Sequence, residues 1–147
     1  MGLCQEDVIA EAVLVVTETE LVARMAMLRA LALEGHRVYP ATDLVETQQR
    51  MEQHTAVVLI LGNVARSCER RRWLRQFRAN GHDIPVVILD RAWWNKDEDK
   101  DEDEDAADDL GLVIVLPSRF TVDDVCDIVR ALLDALGTVR IRAAPGG

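Results

Sequence analysis

The chain has 147 residues, a net charge of −9, and 49% hydrophobic against 29% charged residues. That is the length of one domain with enough apolar content for a real core, which excludes a disordered or fibrous protein. No apolar run nears the roughly 18 residues of a membrane span. The acidic balance also argues against general nucleic-acid binding, which depends on neutralising phosphates.

Residues 1–11 read as an N-terminal extension, acidic and without the basic region expected of a secretory signal. Ala12–Val16 then begins a series of short β-branched runs of the kind buried on both faces of a sheet. The others are Ala56–Leu61, Pro85–Leu89 and Leu112–Leu116, with a weaker strand at His36–Tyr39 between Gly35 and Pro40. Helical patterns fill the gaps. Glu20–Glu34 places Leu21, Met25, Leu28 and Ala32 on one stripe, widened by Val22 and Leu31, and Gly35 supplies the stop. Asp43 with Glu46 has capping-box spacing and opens a short helix carrying Leu44 and Met51. Ala65–Ala79 is strongly basic, with Trp73, Leu74 and Phe77 as its apolar side, and Asn80-Gly81 ends it. Thr121 with Asp124 opens the last helix, which runs through Leu136 and is closed by Gly137. Residues 138–147 are a tail or linker start, in which Val139–Arg142 extends the helix or pairs as a small strand.

Repeated βα units of this length predict a parallel sheet covered on both faces. The expected architecture is a three-layer, flavodoxin-like α/β sandwich over residues 12–137, with five strands in the order 2-1-3-4-5.

The charges fall in blocks. Ten of the 26 acids lie between Asp97 and Asp109, whereas Arg66–Arg78 holds six arginines and one acid, Glu69. The acidic run lacks the central glycine and alternating ligands of a Ca²⁺ loop, so no metal site is expected there. It reads either as a solvated, self-repelling loop or as a counter-charge for the basic helix. Adjacent Trp93 and Trp94 cannot easily enter one core together, so they form a lid on the strand ends or an interface anchor. Arg70-Arg71-Arg72 reads as a solvated helix face. The three histidines and three cysteines show no ligand spacing, and the odd cysteine count suits a reducing cytoplasm.

Val13–Val16 followed by Thr17-Glu18-Thr19, the run Gly81–Leu89, and Val115–Phe120 entering the last helix resemble response-regulator receiver domains, over residues 12 to 136. The resemblance implies an aspartyl-phosphate device. It calls for two acids after the first strand to hold Mg²⁺, an acceptor aspartate ending the third, a hydroxyl after the fourth and a lysine after the fifth. Position by position the chain departs from that set. The acid pair is Thr17 and Glu18, the acceptor position is Gly62, the hydroxyl position is Asp90 and the lysine position is Leu116. The fourth helix of such domains is replaced or shortened here by the acidic run.

The expectation is therefore a non-enzymatic pseudo-receiver with no cofactor, metal, nucleic acid or membrane partner. It would act through a protein partner or a second copy of itself. The expected surface comprises Trp93, Trp94, Asp97 and Asp101 with Arg70, Arg71 and Arg75. One alternative is the N-terminal oligomerisation wing of a pyridoxal-phosphate-dependent basic-amino-acid decarboxylase, which the chain could also resemble. The other is an atypical phospho-receiver with Glu18 and Asp90 as its only nearby acids.

Overall fold

The computed structural model describes residues 12–62, 64, 66–89, 110–116 and 120–146, with backbone alone at 67 and from 137 onward. Nine elements follow in chain order: β1 (Val13–Thr17), α1 (Leu21–Leu33), β2 (Arg37–Ala41), α2 (Leu44–Gln53), β3 (Val58–Leu61), α3 (Ser67–Ala79), β4 (Val86–Ile88), β5 (Val113–Val115) and α4 (Val122–Gly146). The strands form one sheet in the order β2-β1-β3-β4-β5, and every neighbouring pair is parallel. This is the flavodoxin-like sandwich that the alternation of patterns predicts. The segment in which a helix between β4 and β5 would be replaced lies outside the described residues.

The period of two along each strand divides the interior into two cores. Leu14, Val16, Val58, Ile60 and Val87 point to one face, where Met27 and Leu31 of α1 and Val125 and Val129 of α4 cover them. Val15, Leu59, Leu61, Val86 and Ile88 point to the other, beneath Met51 of α2 and Leu74 and Phe77 of α3. The three central strands are almost wholly buried, which is why their sequences are unbroken apolar runs. The observed strands are shorter than those runs, because the run continues past the last paired residue into the core. Leu89 and Leu116, for example, are buried beyond the ends of β4 and β5.

Three expectations need correction. First, α1 turns Met27 and Leu31 inward and leaves Leu21, Val22 and Met25 more than half exposed. The helix reads LVARMAMLRALAL, apolar nearly all round, so its pattern lacked the polar contrast that singles out a buried face. Second, β2 runs through Pro40 and does not stop before it. As an edge strand it pairs only with β1, and there a missing N–H is tolerated. Third, α4 continues past Gly137 to Gly146. A helical glycine costs roughly 0.5–1 kcal/mol relative to alanine, too little to end a 25-residue helix.

The capping signals agree with the structure in detail. Asp43 Oδ1 accepts from Glu46 N at 2.7 Å, while the Glu46 carboxylate reaches back to Thr42 N, also at 2.7 Å. Thr121 and Asp124 make both arms of a capping box, at 3.2 and 2.9 Å. Gly35 and Gly81, both with φ near +97°, close α1 and α3. In urea denaturation, Met27→Ala and Leu31→Ala should each lose about 2–5 kcal/mol. Val22→Ser should change stability by no more than about 0.5 kcal/mol. The face inferred from periodicity alone would give large losses at Leu21 and Met25 instead.

Candidate functional site

Because the strands are parallel, their C-terminal ends meet along one edge of the sheet, and the strand order reverses between β1 and β3, where such folds place their sites. The ladder continues one residue beyond β3, β4 and β5. Gly62 N donates to Thr17 O at 2.6 Å, Leu89 N to Leu61 O at 2.8 Å, and Leu116 N to Ile88 O at 3.0 Å. Glu18, Gly62, Leu89 and Leu116 therefore stand in a row at the edge. The structure thus brings together Thr17, Glu18, Gly62 and Leu116. Asp90, Trp93, Trp94, Asp97 and Asp101 lie outside the described residues.

Thr17 is fully buried, and its hydroxyl is directed away from the edge. Thr47 Oγ1 gives its proton to Asp43 O at 2.7 Å, so the Thr17 hydroxyl donates to Thr47 Oγ1 at 2.5 Å. This ties β1 to α2. Glu18 is 6% exposed. Its N–H donates to Ala41 O at 3.0 Å, its carbonyl accepts from Arg24 Nη1 at 2.8 Å, and its Oε2 accepts from Glu20 N at 3.0 Å. Leu116 joins the core formed with Leu89 and Val125.

The decisive geometry is at Gly62. Its φ lies outside the left-handed region, so the backbone does not demand glycine. Space does. A Cβ placed there would strike Glu18 Oε1 and come within 2.9 Å of Thr17 O. The Glu18 carboxylate fills the volume that a side chain at 62 would need.

A Mg²⁺ ion does not fit the donor set of the described residues. Glu18 is the single acid of the expected pair, and one of its oxygens is bonded to the backbone of Glu20 while the other overlies Gly62. Nor do the described residues include a group of three or more His, Cys, Asp or Glu placed to hold a metal. At 116 an apolar side chain stands in the core.

The basic helix also differs from its expectation. Arg70 and Arg71 are 1% and 3% exposed, so they do not form a solvated face, and neither is a free cation. Arg70 shares the inward stripe of Leu74 and Phe77, four and seven residues on, and its long apolar stem packs where a charge was expected to face water. Arg75 is half-buried. Arg78 acts as a clamp. Its guanidinium donates to Leu110 O (2.6 Å), Ile84 O (2.6 Å), Leu112 O (3.0 Å) and His82 O (3.1 Å), joining the end of α3 to the entries of β4 and β5. Burial lowers its pKa, partly offset by Asp83. Gly111 suits the clamp twice over, with φ +71° and no room for a Cβ beside the guanidinium. Sequence reasoning missed Thr47, Arg24 and Arg78, whose roles depend on carbonyls and hydroxyls that meet only through the fold.

The geometry can be set beside known proteins. No family model matches the chain. It is 26% identical over 110 residues to the response regulator MprA of Mycobacterium leprae (strain TN), covering 75% of this chain and 46% of that one. It is 25% identical over 120 residues to the response regulator MprA of Mycobacterium ulcerans (strain Agy99), covering 82% and 49%. The solved receiver domain of the Francisella response regulator 1452 superimposes with a TM-score of 0.68 at 14% identity, covering 85% of this chain and 98% of that one. The chain has the fold of solved receiver domains and resembles response regulators in sequence. It spans about half the length of the curated relatives it matches.

The three histidines of the receiver-like domain take separate structural roles. His54 stacks on Tyr39 with centroids 3.6 Å apart, and His82 stacks on Phe77 at 4.4 Å, which in turn stacks on Trp73 at 4.9 Å. His36 lies near the joint where Arg130 of α4 meets Glu34 at the end of α1, an ion pair of 2.8 Å, and its buried Nδ1 has no hydrogen-bond partner among the described residues. Burial lowers its pKa; Glu34 raises it and Arg130 lowers it further. A base with a depressed folded pKa contributes stability that is complete above its unfolded value and is lost as pH falls below it. Unfolding midpoints should therefore fall as pH drops below about 6.5. His36→Gln should flatten that slope in titrations kept above pH 5, where carboxylates contribute little.

Proposed function

We propose that the protein is a regulatory receiver-like domain of two-component signalling that works without phosphorylation, through contact with a protein partner or a second copy, in the cytoplasm. The observation that carries this reading is the Glu18 carboxylate lying over Gly62, in the space an acceptor side chain would take. Acyl-phosphate formation needs a nucleophilic carboxylate at the end of β3 and cations to neutralise the transferred group. This chain has Gly62 and Leu116 at those positions, and the Glu18 carboxylate would repel an incoming phosphoryl group. Resemblance to the MprA response regulators supports the signalling context.

The test is incubation with acetyl phosphate and Mg²⁺, read by intact mass beside a receiver that retains its acceptor aspartate. The expected outcome is an unchanged mass for this chain and an adduct on the control; a phosphoryl adduct here would sink the reading.

The contact surface proposed from the sequence joins Trp93, Trp94, Asp97 and Asp101 with Arg70, Arg71 and Arg75, of which Arg70 and Arg71 are buried and leave the tryptophans and the acidic run to carry the contact. Exposed ion pairs contribute about 0–1 kcal/mol each and weaken with salt, whereas aromatic anchors do not. If the second copy is the partner, sedimentation should show an associated species. Trp93→Ala with Trp94→Ala should dissociate it while leaving the melting temperature unchanged.

A further inference from the structure

We propose that Glu18 is a fixed latch across the edge of the sheet, holding the ends of β1 and β3 in a single arrangement. The inference rests on the phosphorylation-independent reading and states how the site is regulated: it is not switched at this edge, because its own carboxylate permanently fills the space of the missing acceptor.

Among the described residues, one bond holds the carboxylate itself and three hold the backbone beside it. Ala41 O receives the Glu18 N–H, Arg24 Nη1 grips the Glu18 carbonyl at 2.8 Å and the Thr19 carbonyl at 3.2 Å, and Glu20 N grips Oε2 at 3.0 Å. Together they connect the end of β2, the first turn of α1 and the turn leaving β1. The remaining carboxylate oxygen lies over Gly62, whose N–H is bonded to Thr17 O at 2.6 Å and whose carbonyl accepts from Val64 N at 3.0 Å. The turn leading from β3 towards α3 therefore starts from a residue with the Glu18 carboxylate above it and a backbone bond to β1 beside it. A switch needs an element with two packings of similar free energy. Here displacement of the β3 end would either break the Gly62–Thr17 bond or drive the backbone into a carboxylate that is itself held by the Glu20 N–H. The carboxylate and a side chain at 62 exclude one another, so the two positions behave as one steric unit.

The experiment is a double-mutant cycle with an exchange measurement. Gly62→Ala should lower the folding equilibrium constant roughly tenfold more in the wild-type background than in Glu18→Ala, since removing the carboxylate removes the clash with Oε1 and leaves only the 2.9 Å approach to Thr17 O. Amide relaxation dispersion at Gly62, Val64 and Arg66 should be flat in the wild type and show microsecond-to-millisecond exchange in Glu18→Ala. Glu18→Gln, which keeps the shape and the acceptor oxygen, should remain flat and supplies the test if Glu18→Ala fails to fold. Additive costs around the cycle, or exchange at Gly62 already present in the wild type, would overturn the latch. A phosphoryl adduct on the wild type would instead overturn the reading beneath it, so the two failures are distinguishable.

Discussion

Burial of three central strands on both faces is the constraint from which the rest of the structure follows. β1, β3 and β4 have no solvent side, so every second residue must satisfy a different core. One set meets α1 and α4; the other meets α2 and α3. A one-residue slip would exchange the two sets, so the register is strongly specified even though nearly all the residues are apolar. Parallel pairing then places all the carboxyl ends on one edge. That edge is the one part of the sheet where the chain leaves its ladder and side chains must arrange themselves without a helix above each strand.

What stands at the edge has to be compatible with the low-polarity layers beneath it. Leu116 and Leu89 extend the core to the end of the sheet, and Thr17 turns its hydroxyl into a chain of bonds with Thr47 and Asp43. Glu18 remains as the polar group most in need of partners, since a buried carboxylate without donors is costly. The Glu20 N–H at the start of α1 is one such donor, and the positive end of the helix favours a negative charge nearby. The same bond that satisfies the carboxylate also aims it over Gly62. Electrostatic need and steric outcome are two consequences of one placement.

The sheet was legible because its central strands are apolar throughout and are separated by turn and capping residues. Thr121 with Asp124 and Asp43 with Glu46 fixed helix starts through chemistry that is local in sequence. The buried face of α1 was not legible, because a helix with only two charged residues, Arg24 and Arg29, offers no polar side to count from. Arg70 and Arg71 depart from their pattern for the opposite reason. Charge in a sequence points to exposure, whereas a guanidinium can be buried when its stem packs and its head finds partners. The identity of Gly62 was readable in the sequence. That the Glu18 carboxylate lies over it was not, because this depends on contact between residues 44 positions apart in sequence.

The substitutions at the edge form a set, and no one of them can be understood alone. An aspartate at 62 would bring a second carboxylate against Glu18, and like charges at such a distance raise the cost of ionising both. A lysine at 116 would compensate them, but Leu116 lies in the apolar core, where an ammonium without a facing acid would be an unpaired buried charge. Glycine at 62 leaves room for the Glu18 carboxylate, and leucine at 116 extends the apolar core to the end of the sheet. An aspartate introduced at 62 alone would therefore add both strain and repulsion at an edge where the ends of β1 and β3 are packed as one joint.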